Sequence, residues 1–216
     1  MASYLQDYFP SKIRLFGITD SGLFLDVYNP TSGCNLNRYM NQEIAHYTNS
    51  KQLELFRKCI YRDDEIWKCL IPEYNLMSIN FPTFVVNSLY DGVAFKAYVG
   101  LTCAAESPLN CTEKEKNVME TYRDKMLDIS AKIKTQKRLW GYWLRACFEH
   151  EHYQTWAWYS QSKRVYNSKL QRSMGLRDSV SYWYNGGVIN PKGDCYFSDS
   201  LRWDNNPTCQ YEGKNK

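Results

Sequence analysis

Apolar residues along this chain repeat in two ways, and the two repeats take turns. "KIRLFGIT" at 12–19 alternates at Ile13, Leu15 and Ile18, which predicts a strand. After "DSGLFLD" and a turn at "NPTSG", residues 36–60 take up a helical spacing. Leu36, Met40, Ile44 and Tyr47 fall on one face, "TNSK" at 48–51 interrupts it, and Leu53, Phe56 and Ile60 resume it. "FPTFVVNSLYD" at 81–91 is a continuous β-branched and aromatic run ending in polar residues, the mark of a buried parallel strand. The clearest helix is predicted at 112–134. Thr112 and Glu115 form a capping box ahead of a stripe of Val118, Tyr122, Met126, Ile129 and Ile133. "RLWGYWLRAC" at 138–147 predicts a second buried strand. Residues 2–8 read as the tail of a helix, and 187–216, rich in Gly, Pro and Asn, as loop.

Strands alternating with helices predict an α/β fold with a parallel sheet and flanking helices, and 216 residues suffice for a single domain. Three strands are fewer than the roughly five to six of an ordinary sheet. A hydrophobic content of 44% with 23% charged residues is that of a globular chain. Aromatics reach 16%, which serves a core but also suits a sugar- or lipid-facing cleft. The net charge of +4 is too small to argue for nucleic acid, and the basic run "KIKTQKR" at 132–138 suits the end of the preceding helix. No stretch is apolar for long enough to span a membrane.

Eight cysteines with no C-x-x-C pair exclude zinc-ribbon and thioredoxin readings. The short separations of Cys59–Cys69 and Cys103–Cys111 predict local disulfides and an oxidising compartment. The sequon at Asn110 agrees with secretion. Against this, "MASYLQDYFP" has neither the charged start nor the apolar run of a signal peptide.

In open α/β sheets chemistry gathers at the carboxyl ends of strands. Asp91 closes the strand at 81–90, and His150 follows the strand at 138–147. An acid and then a histidine in that order form the second half of the Ser…Asp…His order of α/β-hydrolases. The segment "ACFEHEHYQTW" also carries His152, so an H-x-H metal pair is an alternative. It would need a third ligand from Glu149, Glu151, His46 or a distant acid. A partly buried ring bonded to a carbonyl is the plainer expectation for His152 and His46.

"ITDSGLFLD", "CLIPEY", "SLYDGVAF", "RACFEHEHYQTW" and "NPTC", five motifs in the right order, span most of the chain and resemble the pectin acetylesterase/Notum family of carboxylesterases. The resemblance implies an α/β-hydrolase fold, a Ser-Asp-His triad, an acylated polysaccharide or acylated protein as substrate, secretion, and no cofactor. It assigns the acid to Asp91 and the base to His150, in "CFEHE". Glu151 stands where the plant form of that motif has a second cysteine. The family's Gly-x-Ser-Ala-Gly-Gly nucleophile motif is missing from this chain. Aligning "MASYL" with the family's sequence after that motif places the serine about four residues before Met1. The expectation is therefore the C-terminal half of an esterase domain, inactive alone, with its leader upstream. A non-catalytic module that binds carbohydrate or lipid is the alternative. Ser21 in "TDSGLF" lacks the strand–elbow–helix setting of a nucleophile.

Overall fold

The computed structural model describes residues 15–33, 35–48, 63–105, 108–150, 152, 163–167, 171–188 and 195–209. Its centre is a four-stranded parallel sheet of β1 (Gly17–Asp20), β2 (Thr83–Asp91), β3 (Gly141–Glu149) and β6 (Tyr196–Ser198), in the order β1-β2-β3-β6. β4 (Arg164–Asn167) and β5 (Arg172–Gly175) form a separate antiparallel pair. The longer α-helices among the described residues are α1 (Leu36–Tyr47), α2 (Glu113–Gln136) and α3 (Leu176–Tyr182). This is the α/β-hydrolase-like layering of a parallel sheet with flanking helices.

Every residue of β2 is buried, the apolar Phe84, Val85, Val86, Leu89 and Tyr90 together with the polar Thr83, Asn87, Ser88 and Asp91. Val85 and Leu89, with Leu144 and Ala146 of β3, join a core cluster containing Val118, Met119, Tyr122, Met126, Ile129 and Ile133 of α2. Phe84, Val86 and Trp143 join a second cluster with Phe197 of β6 and Leu176 of α3. Alternation along the strands thus feeds two cores, one on each face.

α2 starts at the expected cap. Thr112 accepts the Glu115 N–H, and Glu115 Oε2 accepts the Thr112 N–H at 2.8 Å. Thr112→Ala is expected to cost about 1 kcal/mol, read as a shift of the urea midpoint at unchanged slope.

α1 departs from its predicted orientation. Met40, Ile44 and Tyr47 are 44%, 43% and 78% exposed, while Asn37 is buried. The helix is anchored by polar groups instead. Asn35 caps Arg38 N–H, Asn37 Nδ2 donates to Leu25 O at 2.9 Å, and Arg38 pairs with Asp26 at 2.7 Å. Burial alone would raise the Asp26 pKa, but hydrogen bonds from Arg38, Tyr74 and Asn35 outweigh it and hold it below the ordinary value. The continuation expected at 53–60 lies outside the described residues, as does the helix tail at 2–8.

β3 begins at Gly141, later than the expected 138. A Cβ there would stand 2.8 Å from both Cys195 O and Phe84 Cδ2, so only glycine allows β2, β3 and the start of β6 to approach so closely. The tail read as loop contains β6, whose three residues are too few to show a period. β1 is the edge of the sheet among the described residues. Phe16 and Ile18 are exposed, and a 260 Å³ cavity is lined by Gly17, Ile18, Leu23, Leu76, Ile79 and Phe81. The first residues of the strand expected at 12–19 lie outside the described set.

Candidate active site

Parallel strands bring their carboxyl ends to one edge of the sheet. Along most of the β2–β3 ladder Ser88 stands opposite Arg145, but Tyr90 stands opposite Phe148, so β3 carries one extra residue there. Ser88 fills the irregularity: its Oγ donates to the carbonyls of Arg145, at 3.2 Å, and Cys147, and accepts Tyr90 N–H at 3.0 Å. The shift leaves Glu149 opposite Asp91, with His150 the next residue.

His150 Nδ1 lies 2.9 Å from Asp91 Oδ2 and 3.0 Å from Oδ1. The Asp91 side chain is wholly buried, and its Oδ1 also accepts Ala94 N–H at 2.9 Å. The His150 side chain is 21% exposed. Phe24 stacks beside the imidazole at 6.1 Å and packs on Tyr98 at 4.4 Å. A carboxylate on Nδ1 favours the tautomer whose Nε2 carries the lone pair, and it stabilises the cation formed when that nitrogen takes a proton.

His152 faces a different acid. Its Nδ1 lies 3.2 Å from both Asp20 Oδ1 and Ser21 Oγ, and its backbone N–H donates to Asp20 Oδ1 at 3.0 Å. The ring is buried, edge-on to Trp143 at 5.3 Å. Its partners thus include a carboxylate and a hydroxyl, Glu149 Oε2 lies 3.7 Å from its Nε2, and His46 is exposed on α1. Ser21 follows a strand with φ +54°, a left-handed turn with some likeness to a nucleophile elbow. Yet it is only 2% exposed, and no helix follows it directly. The oxygens of Ser21 and Asp20 meet the same ring nitrogen, whereas a triad needs them on opposite nitrogens. The one cluster of metal-ligating groups among the described residues is Cys103, Cys111 and Glu115, and its two cysteines are joined in a disulfide.

The family model for pectinacetylesterase matches residues 1–210. The chain belongs to the pectinacetylesterase family. Among curated relatives from Arabidopsis thaliana, pectin acetylesterase 5 is 24% identical over 183 residues, covering 80% of this chain and 42% of that protein. Pectin acetylesterase 11 is 23% identical over 177 residues, covering 77% and 44%, and pectin acetylesterase 7 is 22% identical over 204, covering 89% and 48%. The chain thus spans less than half the length of these relatives.

In this pectinacetylesterase chain the cysteines brace the site. The expected Cys103–Cys111 disulfide is present just before α2. Cys69 is also in a disulfide, while Cys59, its expected partner, lies outside the described residues. Sequence reasoning missed Cys147–Cys209, which ties β3 to the tail three residues before His150. The signal was the closing "NPTC". Asn206 Oδ1 accepts both the N–H and the hydroxyl of Thr208, at 3.0 and 2.8 Å, and this turn carries Cys209 back to β3. Asp199 completes the clamp, accepting Ala146 N–H at 3.0 Å and Asn206 Nδ2 at 2.8 Å. Burial pushes the Asp199 pKa up despite these bonds. No helix among the described residues is long and apolar enough to cross a membrane.

Proposed function

We propose that this chain supplies the acid and the base of a serine carboxylesterase: Asp91 orients His150, and His150 is the general base. The observation that carries the reading is the bond from His150 Nδ1 to a wholly buried Asp91 at the carboxyl edge of a parallel sheet. In the reaction, His150 Nε2 removes the proton of a serine hydroxyl as its oxygen attacks the ester carbonyl. Asp91 stabilises the imidazolium so formed. The imidazolium then protonates the departing alcohol, leaving an acyl-serine. A water, deprotonated by the same nitrogen, attacks the acyl-serine, the acid is released and the serine regains its proton.

Neither the serine nor its oxyanion donors are assigned to these residues, since the 216 residues contain no Gly-x-Ser-x-Gly. We assign them to sequence beyond this stretch, in keeping with its coverage of less than half of each relative. The names of those relatives favour an acetylated, pectin-like polysaccharide as substrate. The purified chain is expected to hydrolyse p-nitrophenyl acetate no faster than its His150→Ala variant. A His150-dependent rate above that background would overturn the assignment of the nucleophile elsewhere.

A further inference from the structure

We infer that Asp20, Ser21 and His152 are positioning residues for the base: they clasp the chain just beyond His150 to the end of β1 and so hold the His150 ring against Asp91. The inference rests on the reading of His150 as that base.

His150 is the first residue past β3, where the ladder no longer fixes the backbone. Its upstream side is held, because Glu149 is ion-paired with the buried Arg145 and lies 3.3 Å from Lys163. Its downstream side is held by Asp20, whose Oδ1 accepts the His152 N–H at 3.0 Å and the Ser21 hydroxyl at 3.0 Å. A His152 ring protonated on Nδ1 donates to that same carboxylate oxygen and to Ser21 Oγ, each at 3.2 Å. The base thus has a held residue on each side, Glu149 before it and His152 after it.

The clasp reaches across the strand that bears the acid. Asp20 ends β1, and β2 lies between β1 and β3. Ser21 is itself fixed to β2, its N–H donating to Val86 O at 2.8 Å. The left-handed φ of Ser21 is a conformation that a serine adopts only where its surroundings enforce it. Here it accompanies the placing of the Ser21 hydroxyl on both Asp20 and His152. Burial of His152 against Trp143 keeps water from competing for these bonds. An ester hydrolase gains from this because a base displaced by about 1 Å loses on the order of a hundredfold in rate.

The test reads the His150 tautomer by proton–nitrogen correlation of the imidazole in the purified chain, with His46→Gln and His150→Gln variants to assign the signals. In the native chain His150 is expected to show a single Nδ1-protonated pattern. His152→Asn, with an unchanged far-ultraviolet spectrum, is expected to lose it, giving a mixture of tautomers. Ser21→Ala removes one hydroxyl at nearly constant volume and decides the matter where His152→Asn does not fold: it too is expected to blur the pattern. A native pattern retained in Ser21→Ala, or in folded His152→Asn, overturns the clasp. If the native pattern is absent and Asp91→Asn changes nothing at His150, the assignment of the base fails and the clasp falls with it.

Discussion

Asp91→Asn is expected to lower kcat about ten-thousandfold in an esterase assembled around this chain, or on the order of 5 kcal/mol of transition-state stabilisation, with KM little changed. The substitution keeps the shape of the side chain and removes two things. One is the charge that offsets the imidazolium. The other is the acceptor that keeps the proton on Nδ1. An amide can present its NH2 group to that nitrogen, which turns the ring to the tautomer with a proton on Nε2, unable to accept one from serine. Ala94 N–H can still find the amide oxygen, so the turn after β2 should survive. Rates with an activated acetyl ester check this, and a loss of less than tenfold would remove Asp91 from the mechanism. His150→Ala should lose at least as much, and the double variant no more than either alone if the two act as a unit.

The second large effect is on stability. Replacing Cys147 and Cys209 with serine is expected to cost about 4 kcal/mol, the loop-entropy value for cysteines 62 positions apart. For Cys103–Cys111, separated by 8, the same reasoning gives about 2.5 kcal/mol. The larger loss is a sizeable part of the roughly 5–15 kcal/mol by which domains are stable. It should also be felt locally. β6 is only three residues long, so its hold on β3 depends on the Asp199 and Asn206 bonds and on Arg145, which donates to Thr208 O. Urea titrations of the double-serine variant and the parent, both without reductant, measure the difference. A loss below about 1 kcal/mol would show that these hydrogen bonds hold the tail unaided.

What could be read ahead of the structure followed from period and length. β2 and α2 are long, and each repeats a single pattern from a clear start, so their limits and buried residues were legible. The meeting of Asp91 with His150 was legible because a strand end and a local motif both point to each of them, and their side chains lie in contact. The face of α1 was not legible. Spacing shows that Met40, Ile44 and Tyr47 share a side, but side-chain hydrogen bonds of Asn35, Asn37 and Arg38 decide which side turns inward. The irregularity at Ser88 was hidden as well. It depends on a hydroxyl that replaces ladder bonds, and no hydrophobic pattern records that. The partners of His152 lie about 130 positions away, beyond the reach of any local motif.

The parallel ladders of the central sheet also bear on how the molecule is made. Gly17 pairs with Thr83, Phe84 with Gly141, and Tyr142 with Tyr196, so within the described parallel sheet each ladder joins residues more than fifty positions apart. Each must close a long loop before it returns any bonding, which places such topologies among the slower folders. On the ribosome, Asp91 emerges well before its histidine, and the cysteine that braces that histidine emerges later still. The union of Asp91 with His150 therefore waits on a long-range pairing, and it can serve as a reporter of the joining of β2 to β3.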